Sequence, residues 1–383
     1  MEYKKFEEVA FFETGKLNSN CAKENGKYDF FTCAPLPLKT DSYSYDKEAI
    51  LLAGNNAEGN FHINYFNGKF DVYQRTYVID VKNKDVLDLK YLFYILKINL
   101  KHLKKISQGT STKFLTAKII NNFDIPYVDI ELQRKVSKIL GDIDNKILLN
   151  NHINDNLFEI TNKLYEDIFI VNRKEEWKEY LLTDIANISN GYSYKGTELV
   201  EESKIGMATI KNFDRNGGFK EDGFKPLEPL KSKDAHYAEK FDILVACTDL
   251  TQNADIIGNA IILLSKNGYE NILISMDLVK VSPKLEYINN FMIYSILNSK
   301  EFKDFALGYT SGTTVLHLDK TCFKEFLLKL PDKTEIEKFI RTVEPMYLKM
   351  AELIEENKVL EQLRDTLLPK LMNGEIDLDK IES

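Results

Sequence analysis

Cysteine, tryptophan and histidine are scarce in this chain, and each shortage excludes something. The four cysteines among 383 residues, Cys21, Cys33, Cys247 and Cys322, lie far apart with no Cys-x-x-Cys pair. They point to buried small hydrophobes in a reducing compartment rather than to a zinc site or a disulfide framework. The five histidines, His62, His102, His152, His236 and His317, show no metal-ligand spacing. Gly-x-Gly-x-x-Gly, Gly-x-x-x-x-Gly-Lys-Ser/Thr and Gly-x-Ser-x-Gly are all missing, so neither a phosphate cradle nor a hydrolase nucleophile is marked. No apolar run reaches the roughly 18 residues of a membrane span. The start, Met-Glu-Tyr-Lys-Lys-Phe-Glu-Glu, carries acids where a signal peptide has a basic start and an apolar run, so a cytoplasmic protein with no membrane partner is expected. Basic surplus is missing too: 51 Lys and Arg against 59 Asp and Glu give a net charge of −8. That disfavours coating nucleic acid through an overall field but leaves room for a local basic face.

The chain does contain 44% hydrophobic residues, enough for a sizeable core, and its length favours two domains. The second half echoes the first. Val9 and Gly15 recur as Ile185 and Gly191, both 176 residues on. Gln108-Gly109-Thr110-Ser111-Thr112, Phe114-Leu115 and Phe123-x-Ile125-Pro126 recur as Ser311-Gly312-Thr313-Thr314, Leu316 and Phe326-x-Leu328 with Pro331, now 203 residues on between the glycines. The second copy therefore holds extra residues in its middle, and each copy is a mixed domain followed by a helical tail.

The tails carry heptad seams. Val136, Leu140, Ile143, Ile147, Asn150, Asn154, Leu157, Thr161, Leu164 and Ile168 alternate four- and three-residue steps, and Phe339, Val343, Met346, Met350, Leu353, Asn357, Leu360, Arg364, Leu367 and Leu371 repeat them 203 residues later. A helix from about Glu131 to Ile170 would be about 60 Å long and needs a partner along it, the other tail being the obvious one. Gly141 and Pro345 fall near equivalent points, so a kink or short break is expected at Pro345 and a weaker effect at Gly141. Asn154 and Asn357 match in the repeat and are expected to fix the register of the pair.

Within the domains, strands are expected at Ala49–Ala53, Tyr73–Val81, Ile243–Ala246, Ile256–Leu264 and Leu273–Val281, and helices over Leu87–Ile106 and Asn289–Leu307. The fold class is thus α+β: two similar mixed domains with mostly antiparallel sheet and two long antiparallel coiled-coil helices.

The net charge hides a basic patch. From Leu89 to Phe123 there is no acid, while Lys90, Lys97, Lys101, Lys104, Lys105, Lys113 and Lys118 are present. Lys97, Lys101, Lys104 and Lys105 at helical spacing would form one cationic face suited to phosphates, and Ser111, Thr112 and Lys113 follow in a loop. Asn55 and Asn56 follow an apolar strand, and Gln74 and Arg75 bring side chains able to grip adenine and guanine edges. In the second copy Thr251, Gln252 and Asn253 occupy the corresponding place, with Thr313 and Thr314 in the echoed loop and Tyr192, Tyr194, Lys195, Lys211 and Asn212 in two further polar loops. Turn chemistry explains many such clusters without a ligand, and the matching positions in both copies are what favour DNA. Asp332, Glu335 and Glu337 superficially suggest metal-holding nuclease carboxylates but sit where acids open a helix, so no metal and no catalytic residue is assigned.

Taken together, these residues resemble the specificity subunit of a type I restriction-modification enzyme. Tyr65-Phe66-Asn67-Gly68-Lys69-Phe70 leading to Tyr73-Gln74-Arg75-Thr76-Tyr77-Val78 is similar to that family's first recognition domain, Glu131-Leu132-Gln133-Arg134-Lys135-Val136 to the opening of its first conserved helix, and Leu363-Arg364-Asp365-Thr366-Leu367-Leu368-Pro369-Lys370-Leu371-Met372-Asn373-Gly374-Glu375-Ile376 to its C-terminal helix and exit. The second opening, Glu335-Ile336-Glu337-Lys338, is a weaker match. The resemblance implies recognition domains over residues 1–128 and 172–331, spacer helices over 129–171 and 332–373, and a tail over 374–383. It implies a non-catalytic subunit whose domains each read half of a split double-stranded DNA target while the helices set the unread spacer. It also implies two methyltransferase subunits as partners, which carry S-adenosylmethionine and flip the target adenine, and optionally a motor-nuclease subunit. The charge of −8 then fits a chain that works in an assembly, with acids away from DNA. The alternatives are a scaffold that recruits proteins through its helices and binds no DNA, and a magnesium-dependent nuclease.

Overall fold

The computed structural model describes residues 2–215, 217–251, 253–372, 375 and 376. By internal packing the chain divides into two units, Met1–Ile147 with Val359–Ser383, and Leu148–Lys358, so each unit holds part of both long helices.

The repeat is in register strand by strand. Glu2–Lys5 pairs antiparallel with Asp124–Tyr127, and Lys178–Leu181 pairs in the same way with Leu327–Leu330, offsets of 176 and 203 preserved. A single helical turn follows each, Phe6–Val9 and Leu182–Ile185, and then an edge strand, Ala10–Thr14 and Ala186–Asn190. In the first unit this edge begins a six-stranded sheet that continues through Thr76–Val81, Tyr45–Ala53, Ile63–Val72, Tyr28–Phe31 and Leu38–Thr40. Only the Tyr28–Phe31 and Ile63–Val72 pair is parallel. In the second unit Ala186–Asn190 leads to Leu278–Pro283, Ile243–Ala246 and Ala260–Ile262, all antiparallel. The added residues of this copy build a second four-stranded sheet around Ile205–Ala208 and Asn271–Ile274.

Ala49–Ala53, the second half of the first copy's central strand, and Ile243–Ala246 in the second copy are apolar at every position because both faces are covered. Ile50, Leu52, Ile79 and Val81 pack under the helix Leu89–Ile98, while Ala49, Leu51 and Val78 meet Phe31, Phe70 and Val72 on the other face. Ile243, Val245, Val279 and Val281 face Asn290–Leu297, and Leu244 and Ala246 pack on Ile272 and Ile274. Period-two alternation here separates two cores rather than core from water.

Several sequence expectations are corrected. Leu273–Val281 is two strands in different sheets, Asn271–Ile274 and Leu278–Pro283, with a turn between them. Strand structure in Ile256–Leu264 is confined to Ala260–Ile262, and in Tyr73–Val81 it begins at Thr76. The helical run Leu87–Ile106 breaks at Asn99, whose amide donates back to Ile95 O at 2.8 Å, giving Leu89–Ile98 and Leu100–Ile106. Asn289–Leu307 breaks likewise, and Ser299 caps the second piece through Phe302 N–H at 3.2 Å. Cys247 and Cys322 are buried as expected, whereas Cys21 and Cys33 are half-buried.

The long helices cover Ile130–Tyr165, extended by a π-helical turn at Glu166–Val171, and Lys333–Met372. No break occurs at Pro345: the helix runs through it, and two residues on, Tyr347 stacks on Phe291 at 5.1 Å. The helix also continues through Gly141, where the missing Cβ leaves room for the Lys90 amine, which would lie 2.4 Å from it. The π turn adds a residue to the local register, so burial moves from Ile168, which is 36% exposed, to Tyr165 and Phe169. Tyr165 and Phe169 both pack against Phe339.

The polar pair of the seam also differs. Asn357 meets Asn150: the Asn150 amide donates to Asn357 Oδ1 at 2.9 Å, and Asn357 donates to Asn151 Oδ1 at 2.8 Å. Asn154 takes no part, and its buried Oδ1 has no hydrogen-bond partner. The heptad places both asparagines on the seam, but the stagger of an antiparallel partner decides which residue lies opposite. Replacing Asn150 with Leu strands the Asn357 Oδ1 acceptor and is expected to destabilise the chain by about 1–3 kcal/mol. The Asn150→Leu, Asn357→Leu double variant should recover most of that loss, as measured by urea unfolding.

Candidate nucleic-acid interface

Three loops of the first copy meet at one backbone position. The central strand ends at Gly54, whose N–H donates to the Arg75 carbonyl at 2.9 Å and whose carbonyl accepts Leu115 N–H at 2.9 Å. Arg75 belongs to the tight turn after Ile63–Val72, and Leu115 closes the loop after Leu100–Ile106. In the second copy Cys247 does the same: its N–H donates to the Asp277 carbonyl at 2.7 Å, and its carbonyl accepts Leu318 N–H at 2.9 Å.

Two glycines in each copy make this junction possible. A Cβ on Gly15 would lie 2.2 Å from Val72 O and 2.4 Å from Tyr73 O, and one on Gly191 would lie 1.9 Å from Ser275 O, so the first loop passes directly over the turn. Gly109 and Gly312 have φ of 108° and 116°, and a Cβ there would come within 2.0 Å of Thr112 O and 2.1 Å of Val315 O. No L side chain fits either position without rearranging the loop. Beyond each junction a short ladder ties the strand exit to the Gly-Thr loop. Asn55 pairs with Phe114 and Asn56 with Lys113, and Thr248 pairs with His317 and Asp249 with Leu316.

In the first unit this arrangement brings most of the expected residues together. Gln74 and Arg75 are exposed at the turn, and neither side chain has a hydrogen bond or ion pair among the described residues. Lys104 and Lys113 converge over Gly59, with their Cγ atoms 3.2 and 3.1 Å from where its Cβ would be. The Lys104 amine donates to Asn60 Oδ1 at 2.7 Å. Lys101, Lys105 and Ser111 are exposed and Thr112 is half-buried. Asn55 and Asn56 serve the loop itself: Asn55 accepts the Cys33 thiol at 2.8 Å, and Asn56 Oδ1 accepts the N–H groups of Glu58 and Asn60. Lys97 is not on the cationic face. The break at Asn99 turns it away to a site near Asp144, Arg364 and Asp365, where burial lowers its pKa.

In the second unit the expected residues divide. Thr313, Thr314, Asn253, Lys195 and Lys211 are exposed, while Gln252 lies outside the described residues. Lys211 and Thr251 line one open cavity of about 570 Å³, together with Lys220, Asp222 and Asp249. Tyr192 and Asn212 are internal. The Tyr192 hydroxyl donates to Glu198 at 2.8 Å, and Asn212 is fully buried, donating to Lys220 O and accepting Thr209 N–H. Tyr194 packs against a small core with Tyr192, Met207 and Leu227.

Sequence reasoning missed the brace under this loop. Buried Asp249 accepts the N–H groups of Thr251, Ile256 and Ile257 and the Thr251 hydroxyl, which hold its carboxyl below the usual range despite burial. The Lys303 amine donates to Ala254 O and Ile257 O, and burial pushes its pKa down to about 8. It also missed Met276 and Asp277, which occupy in the second copy the place of Gln74 and Arg75. The 202-residue offset between paired strand positions Ile79 and Val281 is the signal that finds them.

Asp332 is a helix cap, its carboxylate accepting Thr334 and Glu335 N–H. Among the described residues no group of His, Cys, Asp and Glu is placed to hold a metal, and no helix is long and apolar enough to cross a membrane.

Residues 1–159 and 174–362 match the family described as type I restriction modification DNA specificity domain. The chain is 31% identical over 142 residues to the type I restriction enzyme EcoDI specificity subunit of Escherichia coli, a match that spans 36% of this chain and 31% of that protein. It is 25% identical over 321 residues to the MjaIX specificity subunit of Methanocaldococcus jannaschii, spanning 78% and 71%. Its fold is like that of a crystallised type I restriction-modification system S subunit from M. genitalium, with a TM-score of 0.62, 17% identity and coverage of 97% and 95%. Both copies of the repeat, with their matched junctions and most of each long helix, fall within the family match, and the chain belongs to the type I restriction modification DNA specificity domain family.

Proposed function

We propose that this chain is the DNA-reading subunit of a type I restriction-modification methyltransferase complex, with each copy reading one half of a bipartite target in double-stranded DNA. The observation that carries this reading is the repeated junction: one chain presents the same three-loop platform twice, and in the first copy it gathers Arg75, Lys104 and Lys113 with amide and hydroxyl groups. Lysines on such a platform hold phosphates and set register, while Gln and Arg reach base edges. The paired helices set the spacer and dock two methyltransferase subunits, with motor-nuclease subunits joining where the system also restricts. The chain itself carries no catalysis. The methyltransferase binds S-adenosylmethionine and flips the adenine, and this subunit supplies position and sequence choice in the cytoplasm.

Selection from a random duplex pool by the chain assembled with its methyltransferase should recover a split motif; a pool without one would contradict the reading. Exchanging residues 1–128 for those of a relative should alter one half of the motif and leave the other unchanged. A separate expectation concerns salt. Replacing Lys101, Lys104 and Lys105 with Gln should weaken binding about equally for all duplexes and flatten the plot of log affinity against log salt by about 0.9 per lost phosphate contact. A scaffold that binds only proteins would show no duplex affinity to lose.

A further inference from the structure

The two junctions are alike in backbone and unlike in side chains. At the turn held by Gly54 stand Gln74 and Arg75, and at the turn held by Cys247 stand Met276 and Asp277. Each turn is pinned on both sides: its last carbonyl accepts the junction N–H, and a glycine, Gly15 or Gly191, crosses over the residue just before it, Tyr73 or Ser275. The side chains therefore start from a fixed origin. Gln74 and Arg75 are exposed, Met276 is 52% exposed and Asp277 is half-buried, and none of the four has a side-chain hydrogen bond or ion pair among the described residues. Neighbouring polar groups differ in this respect, because Asn55, Asn56 and Thr251 spend their side chains on the loops themselves.

The sign of Asp277 narrows its role. A carboxylate at a phosphate is repelled, whereas the cytosine amino group in the major groove is a donor that a carboxylate accepts. Arg and Gln are suited to guanine and adenine edges, and an exposed Met offers an apolar contact for a thymine methyl. Resting on the DNA-reading function above, we infer that this two-residue turn is the base-reading pair of each copy. Gln74 and Arg75 read purine edges in one half-site, and Met276 and Asp277 read pyrimidines in the other, with Asp277 accepting from a cytosine amino group.

The test uses the full chain assembled with its methyltransferase and a random duplex pool, comparing wild type with Arg75→Gln, Arg75→Lys and Asp277→Asn. Gln and Asn match adenine, so Arg75→Gln should move one position of one half-site from a G·C to an A·T pair, and Asp277→Asn should do the same at one position of the other half-site. Arg75→Lys keeps the charge and should lower discrimination at its position while leaving the salt dependence unchanged. The expected loss of discrimination against the wrong pair is roughly 5- to 150-fold at the affected position. If wild type recovers no split motif, the DNA-reading function itself fails. If wild type recovers one and the variants return the same motif with uniformly altered affinity, the turns act only on the backbone and the inference is overturned. A single variant that alters both half-sites overturns the assignment of one turn to each copy.

Discussion

The backbone of a single residue at the end of each central strand holds the candidate reading surface together. Its N–H and carbonyl are both committed, one to the turn and the other to the loop that follows the helical segment. Gly54 and Cys247 are buried, so loss of either bond would leave a polar group without water to replace its partner, at about 1–3 kcal/mol. The strand that carries the junction is itself fixed by burial on both faces. The loops thus inherit their positions from the most densely covered part of each copy.

Rigidity reaches the loop tips by different means in the two copies. In the first, a short ladder and the crowding of Lys104 and Lys113 around Gly59 shape the tip. In the second, a buried carboxylate gathers three backbone N–H groups while Lys303 holds two carbonyls from beneath. The start of the first long helix is tied to its own domain by Gln133, which accepts Asp88 N–H at 2.9 Å and donates to Val86 O and Val128 O. One fully buried amide thus joins the helix start to the cap of the helix beneath the sheet.

Much of this was legible because the repeat constrains itself. Offsets of 176 and 203 read from Gly15, Gly191, Gly109 and Gly312 mark positions where backbone approaches backbone too closely for any side chain. The heptads located the buried faces of both helices. What escaped was decided by geometry that periodicity does not encode. The turn at Met276 and Asp277 lies inside an apolar run and contains neither Gly nor Pro, so the run reads as one strand. Asn154 and Asn150 are both seam residues, and only the stagger of the partner helix selects Asn150. Lys97 has the spacing of a surface lysine, but Asn99 ends its helix two residues later. Tyr192 and Asn212 look like ligand-facing groups until Glu198 and Thr209 are seen to claim them.

The junction consists of main-chain atoms alone, and this frees the side chains of the turns beside it from any duty to the fold. The same two bonds form on a glycine in one copy, where a Cβ would lie 2.6 Å from Arg75 O, and on a cysteine in the other, and the turns beside them carry residues of opposite charge. Substitutions at the turn therefore meet little structural resistance. On the base-reading role inferred above, a lineage of such chains can drift to new DNA targets by point changes at two small turns, while the sheets, the helices and the partners they engage remain under separate selection.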